Sequence, residues 1–281
     1  MQKLTSKLFL EDRYPAVLLG LIVAGDDVVL IDCPLRVDDT RAWLSTATEH
    51  GRPRFMALLD HQHERVLGAR SLDLTSVSHE ITQRIMAGWS DTYKGSSHPV
   101  GSHADRIKRI TGVSKATPDL SFSKNMVLHL DDGKVHFTHG AGPTSGAMWV
   151  VSHQNEVAFT GDAVSLQEPP YIGEANLDAW LQSLDRLRGD PFDRYRLISS
   201  RDGLIAREDI NAMARFLRMV QLRMEKLAEF TEPEALEHAA LGYAQELLDR
   251  YDLEGTQRAR CLLRLHMGLI NLHQKMFPQD E

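Results

Sequence analysis

The chain has 281 residues, of which 42% are hydrophobic and 25% charged, ample apolar mass for a sizeable soluble core. A formal charge of −7 excludes nonspecific nucleic-acid binding, which needs basic surface. No apolar run approaches the length of a membrane span, and the longest early one, residues 16–24, is interrupted by Gly20, so neither a membrane anchor nor a leader is expected. Two widely separated cysteines, Cys33 and Cys261, read as unpaired thiols of a cytoplasmic protein.

In chain order, residues 17–24 and 28–31 form a predicted hairpin around Gly25-Asp26-Asp27, ending at Asp32-Cys33-Pro34. A helix is predicted over 38–50, stopping near Gly51-Arg52-Pro53, and a short buried strand over 55–59. That strand runs into Asp60-His61-Gln62-His63-Glu64-Arg65, followed by Gly68-Ala69. A strand ending in ionisable side chains and turning into a helix is where an α/β protein places its chemistry. A helix over 78–89 and a Gly, Ser and His-rich loop over 90–104 follow; the loop is long enough for a lid or partner contact, though solvent-exposed filler is commoner.

Further hairpins are predicted at 127–138 and 147–160, then an amphipathic helix over 176–187 and a last strand over 196–199. From about residue 206 the pattern is helical only. Ile210, Met213, Leu217, Val220, Met224 and Leu227 make a narrow apolar seam, which suits packing on its own domain or, less favoured, a homodimer interface. Thr231-Glu232-Pro233-Glu234 reads as a capping box opening a second helix, and Gly255 as the break before a third.

The order of these pieces resembles the metallo-β-lactamase superfamily over about residues 15–205. The resemblance rests on Leu30-Ile31-Asp32, the Asp60 to Ala69 stretch, His139 to Gly146, Phe159-Thr160-Gly161-Asp162 and Ser199 to Gly203. It implies an α/β fold, a four-layer αβ/βα sandwich over 1–205, followed by an all-helical C-terminal extension over 206–281. Setting the family's first-motif glycine on Gly68 places Asp60, Gln62, Glu64 and Arg65 at its ligand positions. Pro143 then stands at the next histidine, Asp162 at the bridging carboxylate and Arg201 at the last histidine. Among these only Asp162 keeps the family residue, and Arg65 and Arg201 cannot ligate a metal because guanidinium stays protonated.

The resemblance therefore implies a degenerate centre with no metal cofactor. Arg65 and Arg201 are expected to turn inward onto Asp60, Glu64 and Asp162. With no metal to activate water, a small-molecule binding or regulatory role is expected, for an anionic ligand, since paired arginines suit carboxylate or phosphate. One alternative keeps a hydrolase of an ester, thioester, lactam or phosphodiester, using one zinc or iron on Asp60, Glu64 and Asp162 with a displaced His61, His63 or His139. Another makes the chain a scaffold or dimerisation protein working through its C-terminal helices. No nucleic-acid or membrane partner is expected.

Overall fold

The computed structural model describes residues 1–93 and 113–278. The first sheet begins with β1 (Gln2–Thr5), β2 (Leu8–Glu11), β3 (Leu19–Ala24) and β4 (Asp27–Ile31). Helix α1 (Val37–Thr48) leads to β5 (Arg52–Ala57), and the one-turn α2 (His63–Val66) leads to β6 (Thr75–His79) and α3 (Glu80–Ala87). The pair β7 (Thr92–Tyr93) and β8 (Val113–Ser114) flanks the undescribed stretch, within which most of the 90–104 loop falls. Strand β9 (Leu120–Phe122) completes a seven-stranded sheet of order β1-β2-β3-β4-β5-β6-β9, antiparallel to β4 and parallel beyond it.

The second sheet is β10 (Asn125–Leu130), β11 (Gly133–His139), β12 (Met148–Ser152), β13 (Val157–Phe159), β14 (Arg196–Ser199) and β15 (Gly203–Ile205), in sequential order. Helix α4 (Leu177–Arg188) links β13 to its parallel neighbour β14. The tail forms α5 (Arg207–Leu227), α6 (Pro233–Leu248) and α7 (Gly255–Met276). No described helix is long and apolar enough to cross a membrane.

Alternation along the strands builds the layers. Ile22, Val29, Ile31 and Ala57 of the first sheet meet Phe137, Met148, Val150 and Phe159 of the second in one buried cluster between the sheets. The intervening residues Leu21, Val28, Leu30 and Met56 face outward onto Trp43 and Ala47 of α1 and Met86 of α3. On the far side Trp149, Val151, Ala158 and Leu197 pack beneath Trp180 and Leu184 of α4. The fold is the α/β sandwich that the resemblance implies, helices outside two facing sheets.

All six seam residues of α5 are buried in that same far-side cluster, together with Leu247 and Leu248 of α6 and Leu265 and Leu269 of α7. The seam thus faces this chain's own core, and the alternative of a second copy on it is set aside: its apolar area is already removed from water. Two local expectations change. The predicted helix at 78 begins only at Glu80, because Thr75 to His79 pairs as a strand between β5 and β9. No capping box opens α6, since Pro233 at its first helical position carries no N–H and already holds a helical φ, moving the N-cap to Glu232.

Candidate functional site

The centre lies where β5, β13 and β14 end. Gly68 fixes how the chain leaves β5: a Cβ there would stand 1.9 Å from the Pro34 carbonyl oxygen and 2.3 Å from Thr40 Oγ1. Only glycine permits that close approach. With Gly68 pressed against the end of β4, the turn before it rolls Asp60, Glu64 and Arg65 into the interior, where all three are essentially inaccessible. Gly161, at φ +60°, makes the turn that presents Asp162 to the same point.

Arg65 is the hub. Its Nη2 donates to Asp162 Oδ1 at 2.5 Å and its Nη1 to Asp60 Oδ2 at 3.3 Å, while Nε faces Asp32 Oδ2 at 3.7 Å. Arg201 arrives from the turn after β14. Its Nη2 donates to Asp162 Oδ2 at 2.6 Å and to Glu64 Oε1 at 2.5 Å, and its Nη1 to the Ala16 carbonyl at 2.7 Å. Both oxygens of Asp162 are therefore held by guanidinium. Ala16 sits in the left-handed region at φ +66°, a conformation costly for a residue with a Cβ, so Arg201 also helps hold the 12–18 loop over the centre.

Four carboxylates (Asp32, Asp60, Glu64, Asp162) surround these two guanidiniums, and their environments diverge. Burial alone would raise Asp162, but Arg201 and Arg65 outweigh it and hold its carboxyl down at about 2. Burial dominates for Asp32, only partly offset by Arg65 and reinforced by Asp60, and pushes it up to about 7. Burial likewise raises Asp60, against the pull of Arg65. Asp32 accepts from the Leu59 N–H at 2.9 Å through Oδ1, whereas its Oδ2 has no hydrogen bond.

The remaining sequence candidates fall elsewhere. Gln62 is buried, its N–H donating to Asp60 Oδ1 at 2.8 Å, and Pro143 is buried in its loop. His61 turns away from the centre to Glu174, Nε2 to Oε2 at 2.7 Å, and His63 stacks on Trp89 with centroids 4.5 Å apart. His139 donates from Nε2 to the Ser145 carbonyl and stacks on His79. Asp202 accepts from the N–H groups of Leu166 and Gln167. The Cys33 thiol donates to the Arg65 carbonyl, and burial raises it well above its usual range, so it is no thiolate nucleophile. Two participants were not among the expected site residues: Asp32, present in the sequence only as the end of the Leu30-Ile31-Asp32 motif, and Glu174, which no local pattern marks.

A metal does not fit this donor set. The inward carboxylate oxygens of Asp162 are satisfied by cations, the family's histidine positions hold Asp, Gln, Arg and Pro, and the displaced histidines point elsewhere. Among the described residues no three His, Cys, Asp or Glu side chains are grouped to hold an ion. Each Nη of the two arginines already donates to a carboxylate or carbonyl, so an anion arriving there meets engaged guanidiniums. What adjoins the centre is a cleft of about 340 Å³, lined by Ser200, Arg201 and Asp202, by Tyr14 and Ala16, and by Glu168.

The model of the Metallo-beta-lactamase superfamily matches residues 72–195, beginning just past the altered first motif. A metallo-beta-lactamase family protein from Thermus thermophilus superposes with a TM-score of 0.65 at 18% identity, covering 98% of this chain and 95% of its own. The sec-alkyl sulfatase PisA1 gives a TM-score of 0.65 at 16% identity over 98% of this chain and 50% of its own. A metallo-beta-lactamase from Pontibacter korlensis gives 0.58 at 16% identity, over 77% and 97%. No curated protein sequence matches the chain. At these identities the structural likenesses establish the fold.

Proposed function

We propose that this chain of the metallo-β-lactamase fold is a non-hydrolytic binding or regulatory protein of the cytoplasm, in which a buried ion-pair network replaces the metal centre. The observation that carries the reading is the double occupation of Asp162, with Arg65 on one oxygen at 2.5 Å and Arg201 on the other at 2.6 Å. A carboxylate so placed cannot bridge metals, and a centre without them has no Lewis acid to bring water's pKa toward neutrality. The network also shuts the centre from solvent, leaving the cleft beside Arg201 as the place for a small polar ligand. There an anion would compete with Glu64 and Asp162 for Arg201, so the two-arginine clamp does not supply the affinity.

Metal content per chain after purification with excess zinc or iron, followed by dialysis, tests this reading. So does turnover of ester, thioester, lactam and phosphodiester substrates. The expected result is substoichiometric metal and no turnover above that of Asp162→Ala. One equivalent of retained zinc or iron that disappears in Asp162→Ala would overturn it.

A further inference from the structure

A second pocket lies under the middle of α5, next to the cleft beside Arg201, with which it shares Ser165. Its volume is about 220 Å³, and it is lined by Ala212, Met213, Phe216 and Met219 of α5, by Ser165 and Leu166, and by Tyr251 beyond the end of α6. The charged side chains lining it are Arg215 and Arg250; no carboxylate lines it. Both arginines are exposed, and neither has a hydrogen-bond or ion-pair partner among the described residues. Asp249, next to Arg250, is instead engaged by Arg258.

The chemistry of such a place is specific. Apolar side chains and polar atoms share its lining about equally, the mix that suits a ligand with an apolar body and a polar head. A dry apolar cavity of about 150 Å³ takes benzene, so this one has room for a somewhat larger apolar body. Guanidinium is weakly hydrated and pairs with planar oxyanions through parallel N–H donors. The geometry points to a binding site for an amphipathic monoanion, an apolar body of aryl or medium-chain alkyl size inside and a carboxylate or sulfate between Arg215 and Arg250. The sequence expectation of an anionic ligand thus finds free cations here rather than at Arg65 and Arg201. The site does not depend on what occupies the ionic centre, since none of its lining residues belongs to that network.

Calorimetric titration of the full chain with sodium octanoate tests the proposal, with 1-octanol and octyltrimethylammonium as the uncharged and oppositely charged probes. One saturable octanoate site is expected, with octanol bound at least tenfold more weakly and the ammonium compound not at all. Arg215→Gln with Arg250→Gln should weaken octanoate at least tenfold with unchanged circular dichroism, both side chains being exposed. Ala212→Trp, which fills the pocket, should abolish binding at an unchanged melting temperature. Equal affinity for octanol, octanoate retained by the Ala212→Trp variant, or no saturable octanoate binding would each overturn the proposal.

Discussion

The ionic centre and the clamp on Glu168 each bury a carboxylate beneath two arginines, and they differ in how many other acids crowd the cations. At the ionic centre Asp32, Asp60, Glu64 and Asp162 outnumber Arg65 and Arg201. At the clamp between the 165–175 segment and α7, Glu168 takes Arg260 at 2.6 Å and Arg264 at 3.1 Å, with Gln257 on its first oxygen. The clamp is what simple ion pairing produces. The centre has more acid than its two guanidiniums can match. The difference shows in the protons: Asp162, gripped by both guanidiniums, stays ionised, and Asp32, at the margin, is pushed up to about 7.

The sharpest break of this comparison is removal of the hub. Arg65→Ala leaves Asp162, Asp60 and Asp32 buried around a lost cation, and losing one partner of a buried pair costs about 3–5 kcal/mol. Urea unfolding should show at least that loss, whereas Arg264→Ala should cost only about 1–3 kcal/mol, because Glu168 keeps Arg260 and Gln257. Equal losses at the two places would remove the distinction between them.

Next in size is the proton on Asp32. Its folded pKa of about 7 lies above the ordinary value of 3.8, so between those limits the folded chain holds a proton that the unfolded chain has released. Stability therefore falls as pH rises from about 4 to about 7, by about 1.4 kcal/mol per unit and about 4 kcal/mol in all. Asp162 runs the other way: its depressed pKa stabilises the fold above about pH 4, and that contribution fades as pH drops toward 2. Asp32→Asn should remove the fall between about pH 4 and 7 relative to the parent chain. Asparagine suits the position because residue 32 has a φ of +57°, where Asn is well tolerated. Parallel urea-derived stability curves for parent and variant would show that Asp32 does not carry the proton.

Much of this was legible in the sequence, for identifiable reasons. Hairpins announced by Gly25-Asp26-Asp27 and Asp131-Asp132-Gly133 appear as β3–β4 and β10–β11, since turn chemistry is local. The placement of Arg65 followed from Gly68, whose lack of a side chain is demanded by backbone contact and so anchors the frame reliably. Strands β1, β2 and β9 escaped notice because they are three or four residues long and owe their existence to pairing partners, not to a strong period of their own. Within the centre, Asp32 was visible only as a strand end, and the charge excess that makes it a proton carrier emerges only when four separate loops are brought together. The pocket under α5 was invisible for a different reason. Met213 belongs to the α5 seam, but its neighbours Leu166 and Tyr251 come from distant loops.

The smallest effect concerns the histidines that first suggest metal in the sequence. His61 is nearly buried, and burial lowers its pKa, but the hydrogen bond and charge of Glu174 more than reverse that and raise it. Glu174 is 43% exposed, so the pair is worth no more than about 1 kcal/mol. A raised folded pKa means that this contribution is complete below about pH 6.5 and disappears as pH climbs through the folded value. Glu174→Gln should therefore lower the melting temperature at pH 6 and leave it nearly unchanged at pH 9, with the His61 imidazole titrating lower in an NMR series. An equal loss at both pH values would show that residue 174 matters through packing alone. A loss as large as that of Arg65→Ala would put His61 back among the residues on which the centre depends.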